Sequence, residues 1–199
     1  MRLAIADPPY LGRAALWYGG KGRSKQGTVG RAAGRGSLAP EFHPDAAEWD
    51  NPERHHQLMV DLDRDFDGWA MAASAKTLPV IAAAIPARAR VAVWQVTNAI
   101  PDGSRVASTW EPVIVRVPDG RRDRAAGVAV KDVLVAAHPV VGSKPPQWAR
   151  LVLDMLGHRH GDVVVDVFPG SGAIQKVIDA AERQPELLTT ESLRLPGVL

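Results

Sequence analysis

The chain has 199 residues, 46% of them hydrophobic and 23% charged, which suits one well-buried domain over residues 1–199 and is short for two. It contains no cysteine, so disulfides and thiolate metal sites are excluded, and no apolar run approaches the roughly 18 residues of a membrane span. Net charge is only +2, but Arg13, Lys21, Arg23, Lys25, Arg31 and Arg35 follow one another with no carboxylate between Asp7 and Glu41.

In chain order, residues 2–6 predict a short buried strand, stopped by the double proline at Pro8 and Pro9. The same apolar stretch runs straight into Asp-Pro-Pro, unlike a signal peptide, so a cytoplasmic protein without membrane association is expected (host cytoplasm for a phage-encoded one). Residues 11–40, rich in Gly, Ser, Arg and Lys without an apolar period, predict a long loop, either functional or simply solvated. A helix is expected from Pro52 to about Asp63, with proline in its first turn. Residues 69–73 predict a strand, 78–85 a helix ended by Pro86, and 90–96 an alternating strand. Residues 112–117 predict another strand, closed by a turn at Pro118-Asp119-Gly120, and 133–136 a short one. From Pro146 the period becomes helical, with Trp148, Leu151, Val152, Met155 and Leu156 on one face and Gly157 as the stop. Residues 162–168 form an apolar strand, 173–183 a helix, and 187–190 a last strand. Alternating strands and helices imply an α/β sheet with parallel neighbours and helices on both faces.

Three segments carry chemistry. Asp7-Pro8-Pro9-Tyr10 holds a carboxylate, a carbonyl and an aromatic ring together at the carboxyl end of a strand, where α/β sheets place ligands. An amine conjugated to an aromatic ring is a poor nucleophile. Asp7 carboxylate and Pro8 carbonyl could hold its two N–H bonds, with Tyr10 stacked on a base taken out of its helix. An ordinary strand-ending turn is the bland alternative. Asp166-Val-Phe168-Pro-Gly170-Ser171-Gly172 lies between a strand and a helix, where glycines permit close approach of a ligand and the helix N-terminus favours an anion. It lacks the Gly-Lys-Ser/Thr of a P-loop and the full Gly-x-Gly-x-x-Gly fingerprint. Ser143-Lys144-Pro145-Pro146, leading into the amphipathic helix, is the third and weakest. The pairs His55-His56 and His158/His160 lack a third ligand at suitable spacing, so no metal is expected. The six tryptophans are scattered and read as packing residues, except Trp17, which with Tyr18, Lys21 and Arg23 forms a candidate substrate-binding group.

In this order the three segments resemble the β-group amino-methyltransferases of DNA, in which the catalytic segment precedes the cofactor segment as a circular permutation. The resemblance covers residues 1–10 and 138–191. It implies a permuted Rossmann-like methyltransferase sheet that binds S-adenosylmethionine and methylates an exocyclic amino group of a DNA base. The Asp-Pro-Pro-Tyr form is commoner for adenine N6 than for cytosine N4. Carried over by position, Asp7, Pro8, Pro9 and Tyr10 make the catalytic segment. Asp166, Phe168, Gly170, Ser171 and Gly172 line the cofactor, with Lys144 and Pro145 near its methionine part and Glu191 (or Glu186) on its ribose. Transfer is expected to be direct, since methylation at cytosine carbon-5 needs a thiolate that this chain lacks. Two departures stand out. The chain ends at Leu199, before a helix and strand the family usually has, which implies either a partner chain, as in a homodimer, or an incomplete adenine pocket. There is also no large target-recognition insert, so residues 11–50 and 103–130 are the candidate recognition segments. An RNA adenine methyltransferase is the rival enzyme, although that family usually has tryptophan where Tyr10 stands. A non-catalytic nucleic-acid-binding protein on a decayed scaffold is the rival from another class.

Overall fold

Strand β1, Arg2–Ala6, is the pivot of the molecule. In the computed structural model, which describes residues 1–18, 45–99, 105–123, 126–139 and 143–183, it pairs in parallel with β2, Gly68–Ala72, on one side and β6, Val163–Asp166, on the other. Beyond β2 come β4, Trp110–Arg116, then β3, Arg90–Val96, then β5, Val133–Ala136, giving the order β5-β3-β4-β2-β1-β6. This Rossmann-like α/β sheet has the expected parallel neighbours except at one strand. β4 runs antiparallel to both β2 and β3; the described part of the 13-residue link from β3 holds no helix, as an antiparallel return allows. Pro112, inside β4, keeps its carbonyl in the ladder by accepting the amide of Ala73, one residue past the end of β2.

Alternation along the strands divides the core between two faces. Leu3, Ile5, Ala70, Ala72, Trp94, Val113 and Val115 pack under α4, Pro146–Leu156, and α5, Ala173–Arg183. Ala4, Ala6, Trp69, Met71 and Ile114 pack under α2, Pro52–Asp65, and the short α3, Leu78–Ile81. The helices earn these positions by their patterns. α5 buries Ile174, Val177, Ile178 and Ala181, spaced one turn apart, and α2 buries His55, Met59 and Leu62. α2 begins as its sequence signals: the Asn51 side chain accepts the Glu53 amide at 3.1 Å, and Pro52 stands in the first turn.

The remaining differences are local. The helix expected over 78–85 is α3 followed by a 3-10 turn, Ala82–Ala84. The strand expected over 162–168 pairs only as Val163–Asp166. The segment expected as loop contains α1, Ala14–Tyr18, whose first amides at Ala14 and Ala15 both bond the Asp50 carboxylate at 3.0 Å. The recognition segment expected over 103–130 contains β4, an interior strand, so only its flanks are free of the sheet. The strand expected over 187–190 lies outside the described residues. Among the described residues no helix is long and apolar enough to cross a membrane, and Trp69, Trp94 and Trp148 are fully buried packing residues.

Candidate active site

The parallel strands β1, β2, β3, β5 and β6 end at one edge of the sheet, and the reversed β4 begins there. Residues just past those ends therefore converge although they are far apart in sequence. Asp7 follows β1, and Phe168 lies two residues beyond β6. His138 follows β5, Glu111 is the second residue of β4, and Lys144 stands just before α4.

Lys144 is the centre of the cluster. Its side chain is only 8% exposed, and its ammonium lies 2.9 Å from Asp7 Oδ1, 2.7 Å from the Tyr10 hydroxyl and 3.3 Å from Glu111 Oε2. The Tyr10 hydroxyl in turn donates to Glu111 Oε2 at 2.5 Å. His138 Nε2 approaches the other Glu111 oxygen at 3.5 Å. The His138 backbone is clamped by Asn98, whose side chain accepts its amide at 2.8 Å and donates to its carbonyl at 3.0 Å. Aromatic rings wall the network: Trp94 meets His138 edge-on at 4.4 Å, and the ammonium lies 4.9 Å from the Tyr10 ring centroid and 5.7 Å from those of Trp94 and Trp148.

Burial and charge act against each other here. Burial pushes the Asp7 carboxyl up, with Glu111 adding to the rise while Lys144 and His138 pull it down. Burial alone would also raise Glu111, yet Lys144, His138 and Tyr10 hold it down at about 2. Burial opposes the Lys144 charge, but Asp7, Glu111 and Tyr10 keep its ammonium well above the usual range. Burial raises the Tyr10 phenol well above its ordinary value, so it stays a neutral donor.

Beside this cluster stands the Gly-rich turn. β1 and β6 continue past their paired residues through the Val167 amide, which bonds the Ile5 carbonyl at 2.9 Å. Asp166, partnered in register with Ile5, has both carboxylate oxygens buried without a hydrogen-bond partner. Burial raises its carboxyl and Asp7 adds to the rise; the Phe168 and Gln175 amides offset this without closing a bond. Gly170 and Gly172 have positive φ, 43° and 72°, and a Cβ on Gly172 would meet nothing within 4 Å. The turn closes by the Gly172 amide on the Pro169 carbonyl at 2.6 Å, and α5 starts at Ala173. Phe168 packs edge-on against Trp49 at 5.0 Å. Pro8 and Pro145 are buried, Pro9 is half-buried and Ser171 is exposed. An orphaned buried carboxylate, an open glycine cradle and a helix start fit a small ligand with polar hydroxyl or amine groups and a carboxylate.

The structure thus joins Asp7, Tyr10 and Lys144 directly and sets 166–172 next to them. It places the Lys144 ammonium on Asp7 and Tyr10 rather than on the turn. Trp17 and Tyr18 fall on α1, while Lys21, Arg23 and Glu191 lie outside the described residues. His55 bonds the Trp49 carbonyl, and His158 and His160 both approach Glu182. Among the described residues no three metal-binding side chains gather. Glu111 and His138 were not foreseen. Glu111 reads as one polar residue at the head of an apolar strand; His138-Pro139 after β5 was the only available signal for the other.

A cavity of about 560 Å3 lies at the opposite edge of the sheet, among Arg90, Arg121, Lys131, Asp154 and His158. None of the residues singled out in the three segments lines it, so it is separate from the cluster.

Comparison with protein-family models and with curated proteins gives no match. Among solved structures the chain is similar to M1.HpyAVI in complex with SAM, at 16% identity and a TM-score of 0.47 over 91% of this chain and 78% of that one. It is similar also to M1.HpyAVI alone, at 15% identity and the same TM-score, over 90% and 76%.

Proposed function

We propose that the chain is an S-adenosylmethionine-dependent methyltransferase acting on an exocyclic amino group of a DNA base, adenine N6 foremost. The observation that carries this reading is the pairing of β1 with β6. It sets Asp7-Pro8-Pro9-Tyr10 beside the 166–172 turn, although more than 150 residues separate them in the chain. That adjacency is what a permuted order of catalytic and cofactor segments requires. Adenine rather than cytosine rests on the Asp-Pro-Pro-Tyr form.

S-adenosylmethionine, when bound, supplies an electrophilic methyl on a sulfonium. Asp166 and the 168–172 turn would hold it, through the unpaired carboxylate and the open backbone. The chain's own part is positioning. Asp7 and the Pro8 carbonyl accept the two amine N–H bonds and so turn the nitrogen lone pair away from the base. As the nitrogen gains the methyl and becomes cationic, Asp7 is the carboxylate nearest the proton it must release. Tyr10, anchored at its hydroxyl end by Glu111 and Lys144, offers a ring of fixed orientation against the base.

Asp7→Ala should lower methylation of DNA by about 10³-fold or more while S-adenosylmethionine still binds. Labelled-methyl transfer to DNA and RNA, followed by nucleoside analysis, together with calorimetry for the cofactor, measures both. Full activity in that variant would sink the assignment. Label in RNA adenine alone would move it to the RNA class, and no cofactor binding by the unaltered protein would favour a decayed scaffold.

A further inference from the structure

We infer that Lys144 is a positioning residue of this reaction, whose ammonium keeps the buried Asp7 carboxylate ionised, and that Glu111 competes with Asp7 for that same ammonium. The inference rests on the proposed amino-methyltransferase reading and goes beyond it, because the resemblance assigns Lys144 to the cofactor.

Three facts carry it. A lysine ammonium has three N–H donors, and Lys144 has three acceptors within 3.3 Å: Asp7, Tyr10 and Glu111. Next, Lys144, Asp7 and Glu111 side chains are 8%, 21% and 18% exposed, so their attraction is only weakly screened. Finally, the groups around Asp7 are unequal in sign. Asp166 faces it from the β6 turn and Glu111 from β4, both as carboxyls; His138 faces it from beyond β5 and Tyr10 from its own segment. Among these, Lys144 is the one permanent cation.

The chemistry needs that cation. A protonated Asp7 would present an O–H to an amine that is itself offering N–H, and the acceptor that aims the nitrogen would be lost. With Oδ1 held by Lys144, Asp7 remains an anion in a site where burial favours the acid. Glu111 works the other way: it draws on the same ammonium and adds a like charge near Asp7. Removing Lys144 and removing the Glu111 charge should therefore act in opposite directions, whereas two merely structural residues would not.

The test compares Lys144→Met, Lys144→Arg and Glu111→Gln with the unaltered chain. The carbon-13 shift of the Asp7 carboxyl, assigned by Asp7→Asn, is titrated by NMR without turnover. Methylation rate against pH and S-adenosylmethionine affinity are measured on the same proteins. In Lys144→Met the Asp7 titration and the acid limb of the rate profile should move up by at least about one pH unit. Lys144→Arg should restore most of that shift, Glu111→Gln should move both down, and cofactor affinity should stay within about threefold. An unmoved Asp7 titration in Lys144→Met and Glu111→Gln would overturn the inference. So would a loss of cofactor affinity in Lys144→Met of about 30-fold with the pH profile unchanged, which would make Lys144 a cofactor ligand. If Lys144→Met does not fold, the opposed shift in Glu111→Gln decides alone. Failure to methylate any nucleic acid would remove the functional reading, yet the Asp7 titration would still decide the role of Lys144.

Discussion

Asp154, near the C-terminal end of α4, is a half-buried carboxyl whose burial pushes it up to about 6, against the opposing pull of His158 and Arg150. Because the folded chain binds that proton more tightly than the unfolded one, stability should fall as pH rises from about 4 to about 6 and then level off. Asp154→Asn should change little at pH 4 and stabilise by ~1 kcal/mol above pH 6, a figure kept small because the group is partly solvated. Urea midpoints at pH 4 and 7.5 measure it; equal effects at both would count against the account. Asp7, Tyr10 and Lys144 were legible from sequence because prolines and a strand end mark them as unusual. Glu111 was not. A glutamate at the head of a strand is an ordinary solvent-facing residue until Lys144, 33 positions later, is laid against it.

At the scale of elements, the signals that worked were those with a local mechanism. β3 and β5 follow from alternation and β-branched residues, and α5 from its one-turn apolar spacing. α4 ends where Gly157 was expected to end it. Its φ is 64°, the Gly157 amide bonds the Asp154 carbonyl at 3.0 Å, and the His158 amide bonds the Leu153 carbonyl at 2.9 Å. A Cβ there would also meet Arg121 Cδ at 3.2 Å. Gly157→Ala should therefore cost ~1 kcal/mol of stability, read from thermal or urea unfolding; a neutral result would mean that the left-handed turn is dispensable. Elements whose signal is tertiary were missed. α1 is five residues long and is held by Asp50, some 35 positions away, which no local pattern announces.

For the whole molecule, sequence spoke to the class of fold but not to the order of its strands. That order is set by which apolar faces meet, and it leaves β1 flanked on both sides while β5 has β3 as its only neighbour among the described residues. Leu3, Ala4, Ile5 and Ala6 are completely buried, whereas Val133 and Val135 on β5 are 47% and 59% exposed. Amide hydrogen exchange should show β1 and β2 opening only with global unfolding, and β5 opening earlier at lower free energy. Equal protection of β1 and β5 would contradict this picture of where the molecule is held together.

The reversal of β4 also divides the surface into two kinds of building site. Any chain inserted between β3 and β4, in residues 97–109, leaves and returns at the edge that carries Asp7, Glu111 and Lys144. Any chain inserted between β4 and β5, in residues 117–132, leaves and returns at the far edge, beside the arginine-lined cavity. A module grafted at the first position would hang over the Asp7–Lys144 cluster and change what reaches it. A tag or fusion partner spliced into the second would leave that cluster's edge untouched.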